Sequence, residues 1–119
     1  MRRIIYLSGP MTGEGSYQRK FVEAADQLLE IDEDLIIINP ATMAQIGKDI
    51  DKRGPDYRRL LEMDKQLIAN SDAICLLPGW ENSSGCREEI QTAIDELKDI
   101  FVYNDPELFN KLRAAVEDS

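Results

Sequence analysis

Four short apolar runs, each unbroken and each closed by turn-forming residues, constrain this chain more than any other feature: RIIYLSG (3–9), LIIINP (35–40), AICLLPG (73–79) and IFVYND (100–105). A strand with one solvated face alternates apolar and polar residues, whereas a strand covered on both faces reads as a continuous apolar stretch. Helical patterns lie between the runs. Residues 17–30 put Tyr17, Phe21, Ala24, Ala25, Leu28 and Leu29 on one stripe, residues 57–70 put Tyr57, Leu60, Leu61, Leu67 and Ile68 on another, and residues 86–98 align Cys86, Ile90, Ala93, Ile94 and Leu97. A last helix is expected to open with Asp105 as N-cap and Pro106 at its first position, then to repeat Leu108, Phe109, Leu112, Ala115 and Val116. Strands alternating with helices imply right-handed crossovers. The expected fold is α/β: a doubly wound, Rossmann- or flavodoxin-like parallel sheet of roughly four to five strands, in the order 2-1-3-4, with helices on both faces. Residues 41–56, ATMAQIGKDIDKRGPD, are irregular, read either as a short helix with a mobile polar loop beside the sheet's carboxyl edge or as an ordinary surface connection.

At 119 residues the chain is read as one domain, 1–119, able to bury a core without metal or disulfide staples. Its formal charge of −9 denies it the diffuse positive field that holds proteins on polymeric nucleic acid or anionic membranes. A small phosphorylated ligand needs only a few local donors and stays admissible. The apolar runs are far short of a membrane span, and MRRIIYLSG has no long apolar stretch after its arginines, so no signal peptide is read and a cytoplasmic location is expected. Cys75 and Cys86 form no CxxC and the chain has no histidine. That argues against a zinc site and excludes Ser-His and Cys-His chemistry from within one chain. Neither a metal nor an organic cofactor is expected, and acid–base or nucleophilic chemistry falls to carboxylates.

Ligands of such sheets bind outside the strands' carboxyl ends, where the strand order reverses. Here that crevice lies between the first and third strands, flanked by SGPMTGEG and PGWENSSG, loops of small residues that let backbone approach a ligand. Neither loop is a phosphate-binding fingerprint. The candidate substrate-contacting residues are Ser8, Gly9, Pro10 and Met11 in the first loop, Asn39 after the second strand, and Gly79, Trp80, Ser83 and Gly85 in the third. Trp80 is read as a stacking platform for a base or as a cover for the loop or a subunit contact.

Helical phase then selects two acids. Asp64 stands four after Leu60 and four before Ile68, on the stripe that must face the sheet. A buried carboxylate has to be paired, neutral or lining a polar cavity, so Asp64 is either a structural acid or part of a site. In NSSGCREEI (82–90), Glu89 lies three after Cys86 and four before Ala93, at the edge of the inner face and in the expected first turn. Glu88 aligns with Gln91, Thr92 and Asp95 on the polar side. Complementing the helix dipole accounts for Glu88 and only partly for Glu89. Two inward carboxylates at one sheet mouth suggest a nucleophile with an acid or orienting partner, as in glycosyl transfer.

The motifs IYLSGPMTG, INP, DYRRLLEMDKQLIANSDAICLLPGW and SSGCREE, the last as S-x-G-x-x-x-E, resemble the nucleoside 2-deoxyribosyltransferase superfamily over residues 3–104, most nearly its small phage and bacterial members. The resemblance implies that Glu89 is the nucleophile, that Asp64, eight residues before Asp72, is the second carboxylate, and that Tyr6 lies beside the nucleophile. Ser83 matches a serine that binds a 5′-phosphate in related monophosphate N-glycosidases. Pro10 and Thr12 depart from the serine and arginine those enzymes carry; Arg19, Lys20, Arg87 or the group Lys48, Lys52, Arg53, Arg58 and Arg59 are possible replacements or simply solvated surface. The implied activity is N-glycosidic cleavage of, or (deoxy)ribosyl transfer from, a nucleoside or its 5′-monophosphate, in a homodimer or higher homo-oligomer. The rival is a non-catalytic nucleotide-binding or sensor module of the same fold.

Overall fold

The computed structural model describes residues 3–11, 15–41 and 55–117. The elements run β1 (Ile4–Ser8), α1 (Tyr17–Ile31), β2 (Ile36–Ile38), α2 (Pro55–Ala69), β3 (Ala73–Leu76), a 3-10 turn (Trp80–Asn82), α3 (Ser84–Asp95), β4 (Asp99–Val102) and α4 (Leu108–Glu117). The sheet is four-stranded, in the order β2-β1-β3-β4. All its ladders are parallel, with Tyr6 opposite Ile38 on one side and Ile74 on the other. The order and direction expected from the apolar runs are those observed. The short helix and loop expected over 41–56 lie outside the described residues from 42 to 54, as do Thr12, Lys48, Lys52 and Arg53 and the side chain of Tyr57.

The two-residue alternation of the strands sorts the core into two layers. Ile5, Leu7, Ala73 and Cys75 pack with Phe21, Ala24 and Leu28 of α1 and with Leu108 and Leu112 of α4. Tyr6, Ile74 and Leu76 face the other way, onto Leu67 and Ile68 of α2 and Ile90 and Ala93 of α3. Both central strands are therefore buried on both faces, which is why their sequences are apolar without alternation. At the amino edge, the Asp72 carboxylate accepts the Ile4 N–H at 2.7 Å, and Arg3 pairs with Asp99 at 2.6 Å.

Some expected core positions prove exposed. Leu29 is at the surface, because α1 turns only a narrow stripe inward, and Phe109 is exposed on α4. Ile94 is 51 % exposed and Leu97 is 91 % exposed. Leu97 is not helical: α3 ends at Asp95 and Leu97 takes the left-handed conformation, φ 58°. The Leu97 N–H bonds to the Ile94 carbonyl and the Lys98 N–H to the Ala93 carbonyl, the paired bonds of a Schellman stop. At the other boundary revised, α4 begins at Leu108. Asp105 caps the preceding turn, accepting the Glu107 N–H at 2.9 Å and the Lys111 ammonium at 2.5 Å.

Candidate functional site

The site is built at the carboxyl edge of β1 and the amino end of α3. Ser83 has extended backbone, and its hydroxyl oxygen accepts the Cys86 N–H at 3.3 Å, so α3 starts at Ser84. That start is earlier than periodicity from Cys86 suggests, and it moves Glu89 out of the first turn, which holds no acid. The helix-dipole explanation weakens accordingly for Glu88 as well as for Glu89, since the effect fades beyond the first turn. Glu88 is exposed. Glu89 turns in over the sheet, where the Tyr6 hydroxyl donates to Oε2 and the Ser8 hydroxyl donates to Oε1 at 2.9 Å.

Burial dominates the electrostatics. It pushes the Glu89 carboxyl up to about 7, with a contribution from the neighbouring Asp64 and Glu88 charges and against the two hydroxyl donors. Burial likewise raises Asp64 to about 6, tempered by the Tyr6 hydroxyl, which lies beside both acids. Burial and the two carboxylates push the Tyr6 phenol far above its ordinary value, so it remains a donor. Cys86 is buried next to Ser8 and Ser83, and burial raises its thiol too. The cluster thus holds two carboxyls that ionise near neutrality beside a donor that does not.

The remaining predicted residues divide. Gly9 is needed for packing: a Cβ there would lie 2.9 Å from Leu77 Cβ and 3.2 Å from the Phe21 ring. Gly79 has φ +92°, a turn conformation suited to glycine, and closes against Pro10. Met11 packs on the α1–α4 layer, away from the acids. The Asn39 side chain accepts the Ala41 N–H at 3.0 Å, closing a local turn after β2. Trp80 packs against the α2–α3 layer. A Cβ at Gly85 would meet the Ser83 hydroxyl at 3.9 Å, an ordinary contact. Ser8 is fully buried, with its hydroxyl on Glu89 rather than at the crevice surface. Tyr6, Ser8, Asp64 and Glu89, with Ser83 and Cys86 adjoining, are therefore the residues brought together. Cys86 carried no chemical signal in the sequence beyond its place on the α3 stripe.

Arg87, one of the candidate cations, donates to the Glu81 carbonyl at 2.8 Å, and Arg19 pairs with Glu23 at 3.2 Å. A shallow depression of about 350 Å³ on α2, lined by Arg58, Arg59, Glu62, Met63 and Gln66, includes neither acid. Among the described residues no group of three or more His, Cys, Asp or Glu side chains is arranged to hold a metal ion, and no helix is long and apolar enough to cross a membrane.

Fold and site together define a doubly wound α/β domain with a hydroxyl-bonded carboxylate at its crevice. The chain belongs to the family described as Domain of unknown function (DUF4406), whose profile matches residues 3–102. No curated protein matches the sequence.

Proposed function

We propose that the protein cleaves, or transfers across, the N-glycosidic bond of a nucleoside or nucleoside 5′-monophosphate, with Glu89 as nucleophile. The observation that carries this reading is the convergence of Tyr6 and Glu89 beside Asp64 at the sheet's carboxyl edge. The likeness of IYLSGPMTG and S-x-G-x-x-x-E to the nucleoside 2-deoxyribosyltransferase superfamily supports the substrate class. In the first step a Glu89 oxygen bonds to C1′ while the C1′–N bond breaks, its electron pair leaving with the base, through an oxocarbenium-like transition state. Asp64, with a carboxyl raised to about 6, orients the sugar or delivers the proton the departing base takes up. Water then attacks C1′ as the C1′–O bond to Glu89 breaks, its proton passing to the Asp64 carboxylate, and the sugar and the free Glu89 carboxylate are released; a second base attacking instead completes a transfer. A homo-oligomeric assembly and a cytoplasmic location complete the proposal, and sedimentation tests the assembly.

Incubating the protein with a panel of nucleosides and 5′-monophosphates and separating free base by chromatography tests the activity. Base release is expected, reduced by roughly three orders of magnitude or more in Glu89→Gln and unchanged in Glu88→Gln. Equal loss in both variants removes Glu89 from its role. A nucleotide-dependent rise in melting temperature without turnover identifies a sensor module instead.

A further inference from the structure

We infer that Ser8 is a positioning residue which, together with Tyr6, clamps the Glu89 carboxylate by holding one oxygen each. The catalytic consequence of the clamp rests on the glycosidic reading above; the clamp itself does not. Residues 6 and 8 point to the same face of β1. Tyr6 starts one step deeper and reaches toward the strand's carboxyl end with its ring, whereas Ser8 is short and sits at that end. Their hydroxyls therefore meet on a single side chain, delivered from a helix 81 residues further along the chain from Ser8.

Ser8 is 0 % exposed, which leaves its hydroxyl no access to a ligand in the crevice. A buried hydroxyl must find an acceptor. Among the described residues the other buried serine is Ser71, just past the end of α2, which gives its proton to the Leu67 carbonyl of that helix at 2.7 Å, a local bond of no chemical consequence. Ser8 gives its proton to an ionisable group instead, at 2.9 Å. A carboxylate held by one donor still turns about its Cγ–Cδ bond, but one held at both oxygens does not. For a nucleophile that must meet C1′ along one lone pair, that difference is a difference in rate rather than in binding.

The groups facing Glu89 are the Tyr6 phenol, the Asp64 carboxyl from α2 and Glu88 on its own helix. The Cys86 thiol lies beside Ser8 and Ser83. Tyr6 and Ser8 favour the ionised form of Glu89, while burial and the two acids oppose it. Removing the Ser8 donor leaves the opposition intact, so Glu89 must ionise at higher pH.

The test uses the full chain with Ser8→Ala and Ser8→Cys, following the glutamate carboxyls by carbon-13 NMR titration with Glu89 assigned by its loss in Glu89→Gln, and base release against pH. Ser8→Ala is expected to raise the Glu89 midpoint, to lower kcat about ten- to hundredfold and to leave KM within roughly twofold. Ser8→Cys, of similar volume but a weaker donor, falls between, and carries the comparison if Ser8→Ala does not fold. An unchanged midpoint, or a raised KM with unchanged kcat, overturns the clamp; the latter makes Ser8 a substrate contact. If the wild-type protein releases no base while Ser8→Ala still shifts the midpoint, the glycosidic reading fails and the clamp stands.

Discussion

At the scale of single residues, the raised carboxyl of Glu89 is also a statement about stability. Between its ordinary value of 4.5 and about 7, the folded chain binds a proton at Glu89 that the unfolded chain has released. Stability therefore falls as pH rises through that window, and the cost is fully present above it. Glu89→Gln removes the charge while keeping the shape, and either hydroxyl can turn to accept from the new amide. The variant should be more stable than the parent at pH 8 by about 2 kcal/mol, after discounting the full shift for solvent screening, and no more stable at pH 4. Thermal melts of both proteins across pH check this. A gain that persists at low pH would mean that packing, not ionisation, separates them. The contrast between adjacent glutamates also shows what phase can and cannot read. Stripe counting put Asp64 and Glu89 inward and Glu88 outward, and the structure places them so. It could not supply the Ser8–Glu89 bond, which depends on how a helix 81 residues distant lies over β1.

At the scale of elements, α3 shows why its inner stripe is misread at the far end. Periodicity carries Leu97 onto the Ala93 face, because an apolar residue just beyond a helix imitates the next position of its stripe. The helix has already stopped there, and its stopping residue is a leucine at φ 58° where glycine is usual. A left-handed conformation costs an ordinary L-residue about 1–2 kcal/mol. Leu97, 91 % exposed, recovers little of that by burial. Glycine removes the strain but adds freedom to the unfolded chain, worth about 0.4–1 kcal/mol in the other direction. Leu97→Gly should therefore stabilise by roughly 0.5–1 kcal/mol, raising the melting temperature by a few degrees. Leu97→Val, β-branched at the same φ, should lower it. Urea unfolding of the two variants measures both signs, and a destabilising Leu97→Gly would show that the leucine is covered in solution.

At the scale of the whole molecule, the sheet was readable because burial on both faces leaves a signature within each strand: IIYLS and AICL need no partner to be recognised as central. The loops were not, because their small residues answer to distant contacts. Gly9 reads as room for a ligand, and its missing Cβ also makes room for Leu77, which the chain brings back only after β3. The charge of −9, in contrast, acts everywhere at once, and its effect can be predicted with a sign. The ion pairs among the described residues include Arg3–Asp99, Arg19–Glu23, Lys65–Glu62 and Lys111–Asp105. Salt weakens each, but pairs of this kind contribute only about 0–1 kcal/mol apiece. It also screens the mutual repulsion of 23 acidic side chains set against 14 basic ones, a destabilising field spread over the whole surface. The second effect should win. Raising sodium chloride from about 0.02 M to 0.5 M should increase the melting temperature at pH 8 by roughly 2–5 °C, with most of the change complete once the screening length falls below about 8 Å near 0.15 M. A melting temperature that falls with salt would mean that the ion pairs outweigh the repulsion, and that the acidic excess is arranged around its few cations rather than spread against itself.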